Sequence, residues 1–202
     1  MIPSQLPPAA PIQQLHHYAY KAKDAEETRH FYEDILGLPL FHIIQSDVVP
    51  STGEYCPYTH FFFRLQDGSC IAFFDLGDDE AALPSPNTPL WVNHISFRVN
   101  TVQELENMKA RLQAEGIEVL GVTDHHIFKS IYFFDPNGIR LELTAQLADA
   151  DQMQKESLTT RARLNEWTAR KQVWRAERAA GKTDAPLKSQ HNDRPEFVAA
   201  PK

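Results

Sequence analysis

The sequence predicts an α+β protein made of two units with the same internal order: strand, helix, three strands. Three observations carry this. Two helix starts share one signature, Asp24 with Glu27 and Thr101 with Glu104, a capping residue followed three positions later by an acid. Each helix is stopped by a glycine, Gly37 and Gly116. Each unit then closes on a hairpin with strong turn residues, Asp67-Gly68 in the first and Asp135-Pro136-Asn137-Gly138 in the second. The letters barely repeat but the order does, which marks an internal duplication.

Taken in order, residues 1–13 are Pro-rich and read as a flexible arm. Residues 14–147 form the folded domain, with one unit at about 14–77 and the other at about 90–147. Leu15–Lys23 is the first strand, and a helix capped by Asp24 runs to Leu36 with Phe31, Ile35 and Leu36 inward. Leu40–Gln45 is a short strand, Ser46–Pro57 a polar loop, and Thr59–Leu65 pairs with Cys70–Leu76. Gly77–Pro89 is a linker, acidic and then Pro-rich. Leu90–Val99 opens the second unit, and its helix carries Val102, Leu105, Met108 and Leu112 at helical spacing. Ile117–Leu120 is a strand, and Ile131–Phe134 pairs with Ile139–Leu143. Residues 148–181 read as a charged helix with Leu164, Trp167 and Trp174 on a sparse apolar seam. Residues 182–202, rich in Pro, Asn and Asp, read as a disordered tail.

Composition narrows the function. A net charge of −7 with no basic stripe argues against nucleic acid. No apolar run approaches the ~20 residues of a membrane span, and MIPSQLPPAAP lacks the features of a signal peptide. Two cysteines, Cys56 and Cys70, are too few for a disulfide framework, which points to a reducing, cytoplasmic setting.

The chemistry-bearing residues emerge from strand alternation. Tyr18, Tyr20 and Ala22 share one face and His17 the other; Ile95, Phe97 and Val99 oppose His94, Ser96 and Arg98; Ile139, Leu141 and Leu143 oppose Glu142. With helices over the apolar faces, His17, His94 and Glu142 all fall on uncovered sides. Two imidazoles and a carboxylate suit Fe(II), Mn(II), Zn(II), Ni(II) or Co(II), and leave coordination positions open as in non-haem Fe(II) oxygenases. Phe61, Phe63, Phe73, Phe74 and Tyr132 could line an aromatic cleft, although half of them must face the core. His125 and His126, in the loop before the last hairpin, are either solvated or proton-shuttling groups.

The series His17…Asp24…Phe31-Tyr32…Leu36-Gly37-Leu38, then Val92-Asn93-His94-Ile95, then Tyr132-Phe133-Phe134-Asp135-Pro136-Asn137-Gly138…Glu142 resembles the vicinal oxygen chelate superfamily. That superfamily includes glyoxalase I, fosfomycin resistance proteins and type I extradiol dioxygenases. The resemblance implies two βαβββ modules forming a curved, open, barrel-like sheet around a metal cleft, with His17, His94 and Glu142 as ligands and Fe(II) as the metal. It implies a small catecholic substrate cleaved with O2, Tyr132 as a substrate contact, and a homodimer. The candidates for an acid/base residue are His60, if its side chain points inward, and His125 or His126, because Ser69 and Cys70 stand where extradiol members usually carry it. Alternatives are a glyoxalase-type lyase, isomerase or transferase, for which Asp75 stands too late to be a fourth ligand, and a non-catalytic binding module of the resistance type.

Overall fold

The computed structural model describes residues 11–83 and 85–188. Most of the expected N-terminal arm and tail therefore lies outside the described residues.

The first module comprises β1 (His17–Ala22), α1 (Ala25–Arg29) running on into a π-helical segment (His30–Ile35), β2 (Leu40–Val48), β3 (Tyr55–Arg64) and β4 (Cys70–Asp75). The second comprises β5 (Ile95–Val99), α2 (Val102–Ala114), β6 (Leu120–Asp124), β7 (Phe128–Phe134) and β8 (Arg140–Gln146). Sheet 1 has strand order β1-β4-β3-β2 and sheet 2 has order β5-β8-β7-β6, so the topology repeats strand for strand. In each sheet the first strand lies parallel to the last and the remaining pairs are antiparallel.

The helix starts form as their residues dictate. Asp24 accepts from the Glu27 amide at 2.7 Å. Thr101 and Glu104 form the full reciprocal box: the Glu104 amide donates to Thr101 Oγ1 at 3.1 Å, and the Asn100 and Thr101 amides donate to Glu104 Oε2. Such a cap contributes about 1 kcal/mol.

One hydrophobic core serves both modules. Phe61, Phe63, Ile71 and Phe73 enter it from sheet 1, Ile131, Phe133, Leu141 and Leu143 from sheet 2. Phe31, Tyr32 and Ile35 of the first helix and Leu105 and Leu112 of α2 complete it. Polar bridges fix the packing. Tyr32 donates to Asp135 at 3.0 Å, Asn137 Nδ2 to Thr28 Oγ1 at 3.1 Å, and Arg111 to the carbonyls of Asp34 and Ile35. Because both apolar faces enter this one core, alternation turns the two open faces away from each other. The sheets remain separate and do not close into a barrel.

Four boundaries differ from the sequence reading, each for a local reason. Half of the expected loop 46–57 is strand, leaving a turn at 49–54; the ladder is irregular opposite Pro57, which has no amide to donate. Residues 90–93 form a turn, so β5 starts at Ile95. The Ile117 amide bonds back to the Leu112 carbonyl at 3.0 Å, which delays β6 to Leu120. The C-terminal helix is two: α3 (Ala150–Ser157), capped by Asp149, and α4 (Thr160–Ala179). Neither buries a residue; Leu158, Leu164, Trp167 and Val173 are exposed, and Trp174 donates to the Ala185 carbonyl at 2.8 Å. No helix among the described residues is long and apolar enough to cross a membrane.

Candidate metal centre

The turn before β5 and the middle of β8 bring His94 and Glu142 together. His94 Nε2 lies 3.2 Å from Glu142 Oε2. Its other ring nitrogen, Nδ1, faces the Val92 carbonyl at 3.1 Å, and a carbonyl can only accept. Nδ1 therefore carries a proton, leaving Nε2 aimed at a carboxylate. Two acceptors facing one another need a proton or a cation between them. Donors about 2.1 Å from a common ion, at 90–110° to each other, sit about 3.0–3.4 Å apart. The separation and the backbone-held Nδ1 thus suit two adjacent ligands of one divalent ion.

Glu142 is a carboxylate with 5% of its surface exposed. Burial would raise its pKa, but hydrogen bonding from Ser130, Tyr132 and Ser96, with His94 nearby, outweighs this and leaves it below the usual carboxylate value. A ladder supports those hydroxyls: Thr144 Oγ1 is 2.8 Å from Ser96 Oγ and 3.0 Å from Ser130 Oγ. Tyr132 is the next group outward. Burial first, then Glu142, pushes its hydroxyl up to about 12. His125 Nε2 lies 2.8 Å from that hydroxyl, and Arg140 sits over the ring.

Sheet 1 carries the other predicted residues on its own open face. His17 Nδ1 is 2.7 Å from His16 Nδ1, and its ring edges onto those of His60 and Phe62. His60 is buried, stacked on Phe74 at 3.7 Å and 5°, and its Nδ1 donates to the Phe73 carbonyl at 2.9 Å. Burial lowers its pKa, so it is held neutral with Nε2 as its basic atom.

The structure thus joins His94 to Glu142, and Tyr132 to both Glu142 and His125, but it does not bring His17 or His60 to them. Among the described residues no group of three or more His, Cys, Asp or Glu side chains converges as an ion would require. The histidine doublet separates: His125 turns to Tyr132, whereas His126 takes the turn conformation at φ 68° and is exposed. Of the five cleft aromatics expected, Phe61, Phe63 and Phe73 are core, and Phe74 and Tyr132 are on open faces. Asp75 is structural, accepting from the amides of Ala25 and Gly77.

The pattern of the Glyoxalase/Bleomycin resistance protein/Dioxygenase superfamily matches residues 14–143. The chain belongs to this superfamily. A segment of 53 residues is 38% identical to MhqA of Bacillus subtilis (strain 168), whose name provisionally assigns it ring-cleaving dioxygenase activity. That segment is 26% of this chain and spans only 17% of MhqA. Among solved structures, a glyoxalase/dioxygenase from Nostoc punctiforme is similar at TM-score 0.53 and 22% identity, covering 72% of this chain and 100% of that one. A glyoxylase/bleomycin resistance protein/dioxygenase domain from Frankia sp. EAN1pec is similar at TM-score 0.56 and 17% identity, covering 68% and 100%. These two likenesses concern the fold alone.

Superfamily membership directs attention to open-face residues that the sequence reading passed over. Phe62 and His42 share the open face of sheet 1 with His17, His60 and Cys70. The run His60-Phe61-Phe62-Phe63 hides its alternation, because three successive phenylalanines look alike on both faces. Pairing of Phe62 with Ala72, and of His60 with Phe74, reveals it.

Proposed function

We propose that this chain is a metal-dependent, extradiol-type ring-cleavage dioxygenase that takes Fe(II), O2 and a small catecholic substrate. The observation that carries the reading is the His94–Glu142 pair, two unlike donors 3.2 Å apart on an open sheet face. The MhqA segment supports the choice among the superfamily's chemistries. His94 and Glu142 hold the ion, and His17 of a second copy of the chain completes the set. Sharing between copies is supported by the opposed open faces and by the exposed apolar residues of α3 and α4, which suit a homodimer.

Bound Fe(II) supplies a Lewis acid and one-electron chemistry beside open positions for a diol and O2. Tyr132 stays protonated at neutral pH and donates a hydrogen bond beside the ligand pair. His125, 2.8 Å from that hydroxyl, accepts a proton passed along it and returns it on ring opening. His60, neutral and basic at Nε2, faces the substrate from the opposite sheet when two copies pair. Phe62 and Phe74 form the apolar wall that excludes water.

Anaerobic loading with Fe(II), followed by air and a panel of catechols, is expected to give the yellow absorbance of a ring-fission product. A panel without colour change counts against dioxygenase activity. The shared site has its own test. His17→Ala and Glu142→Gln each lose bound metal, yet a refolded mixture regains about a quarter of the wild-type metal, because a twofold heterodimer keeps one intact site. No recovery on mixing means that the ligands do not come from two copies.

A further inference from the structure

The open face of sheet 2 also holds a cation, Arg140, with no counter-ion among the described residues. Arg140 precedes Glu142 by two residues on β8, so both side chains leave the same face about 6.6 Å apart. Its guanidinium carbon lies 4.4 Å from the Tyr132 ring centroid, and the residue is half-buried. Among the described residues the ion pairs are made elsewhere, by Lys21, Arg29, His30, His94 and Lys129, and none includes Arg140. The acids near it in sequence are already engaged. Glu142 Oε2 faces His94 Nε2 at 3.2 Å, and Asp135 accepts from Tyr32, Asn137 and Ile139 on the core side.

A half-buried guanidinium beside an aromatic ring, with its donors unclaimed, is a site for an anion. We propose that Arg140 recognises a carboxylate on the substrate, which is then a ring diol bearing an acid group rather than a plain catechol. This rests on the reading of His94 and Glu142 as metal ligands that hold the diol. Both anchoring residues adjoin one ring: Glu142 is the cross-strand neighbour of Tyr132, and the Arg140 guanidinium carbon lies 4.4 Å from the Tyr132 ring centroid. The planar fork of arginine matches a planar carboxylate through two parallel hydrogen bonds. Arg98, further along the same face, is exposed to solvent and lacks the ring contact.

The test is equilibrium binding of catechol, 3,4-dihydroxybenzoate and benzoate to the Mn(II)-loaded full-length chain, by calorimetry. Wild type binds 3,4-dihydroxybenzoate at least about tenfold more tightly than catechol, in line with a charge-assisted hydrogen bond. Arg140→Gln erases that preference and leaves catechol affinity within about twofold; Arg140→Lys retains part of it. Equal affinities in wild type overturn the proposal. So does an Arg140→Gln variant that weakens both diols alike, since the arginine then merely holds Tyr132. If catechol fails to bind while benzoate binds in an Arg140-dependent way, the diol reading falls and the carboxylate site stands. If catechol binds and the acid adds nothing, the reverse holds; if none of the three binds, both fall.

Discussion

Sheets 1 and 2 share one strand order, and their pairings set corresponding positions side by side. His17 answers to His94, Ala19 to Ser96, Ala72 to Glu142, Phe62 to Tyr132 and His60 to Ser130. The inward faces are alike, with Phe61, Phe63, Ile71 and Phe73 against Ile131, Phe133, Leu141 and Leu143. The open faces are not. Sheet 1 offers imidazoles among aromatic rings and no carboxylate; sheet 2 offers a carboxylate among hydroxyls. The shared core constrains one face of each sheet through close packing, and the other face is free of that constraint. A duplicated scaffold can therefore divide a donor set, with a nitrogen donor and an apolar wall on one half and the charged oxygen on the other.

The sharpest break of this comparison is at the ligand pair. His94→Ala and Glu142→Gln are expected to weaken metal binding by at least about 100-fold, with the fold intact, as each removes a donor proposed to touch the ion itself. His42→Ala, an imidazole on the open face of sheet 1 that touches Phe62, is expected to leave metal content unchanged. Metal analysis after gel filtration, with circular dichroism as the fold control, decides it. Stoichiometric metal in His94→Ala removes that residue from the ligand set.

A smaller effect probes why only one sheet carries the acid. Ala72 is fully buried beside Phe62 and Cys70, where no ladder of hydroxyls awaits a charge. Ala72→Glu places a carboxylate at the position equivalent to Glu142 but without its donors, at a cost of about 3 kcal/mol. For a chain of this length that is a fall in Tm of roughly 6–12 °C. A variant as stable as wild type means that the hydroxyls around Glu142 are not what makes a buried carboxylate tolerable.

How far the sequence revealed all this depended on the range of the forces involved. Asp24, Thr101, Gly37 and Gly116 act within one turn of helix, so the helices and the duplicated order were legible. Strand parity gave the faces of His17, His94 and Glu142 correctly, even though β5 begins one residue after His94. Pairing of β2 with β3 through residues 46–58 was not legible, because a polar strand held by its neighbour looks like a loop. Nor was the relation between the halves. Parity says which face a side chain leaves from, but not which faces look at one another; that is set by Phe31, Tyr32, Leu105 and Leu112 in the common core, and by Tyr32 reaching Asp135. The placements of Phe62 and Arg140 were hidden likewise, since each gains meaning only from the strand beside it.

The finest distinction between the sheets lies at His60 and its counterpart Ser130. Ser130 is a neutral hydroxyl whose partners, Thr144 and Glu142, do not depend on its charge. His60 is buried against Phe74 with a lowered pKa, so the folded chain resists its protonation while the unfolded chain does not. Below the unfolded histidine value of about 6.5 the unfolded state therefore binds more protons, and stability falls as pH falls. His60→Phe keeps the ring stack and removes the titration. In the metal-free protein, the Tm of His60→Phe relative to wild type is expected to rise steadily from pH 7.5 to pH 5.5. The other histidines are common to both proteins, although His17 and His42 lie close enough to His60 to sense its charge. A constant offset across the range would show that His60 protonates as easily folded as unfolded, and that the open face of sheet 1 is wetter than its aromatic lining implies.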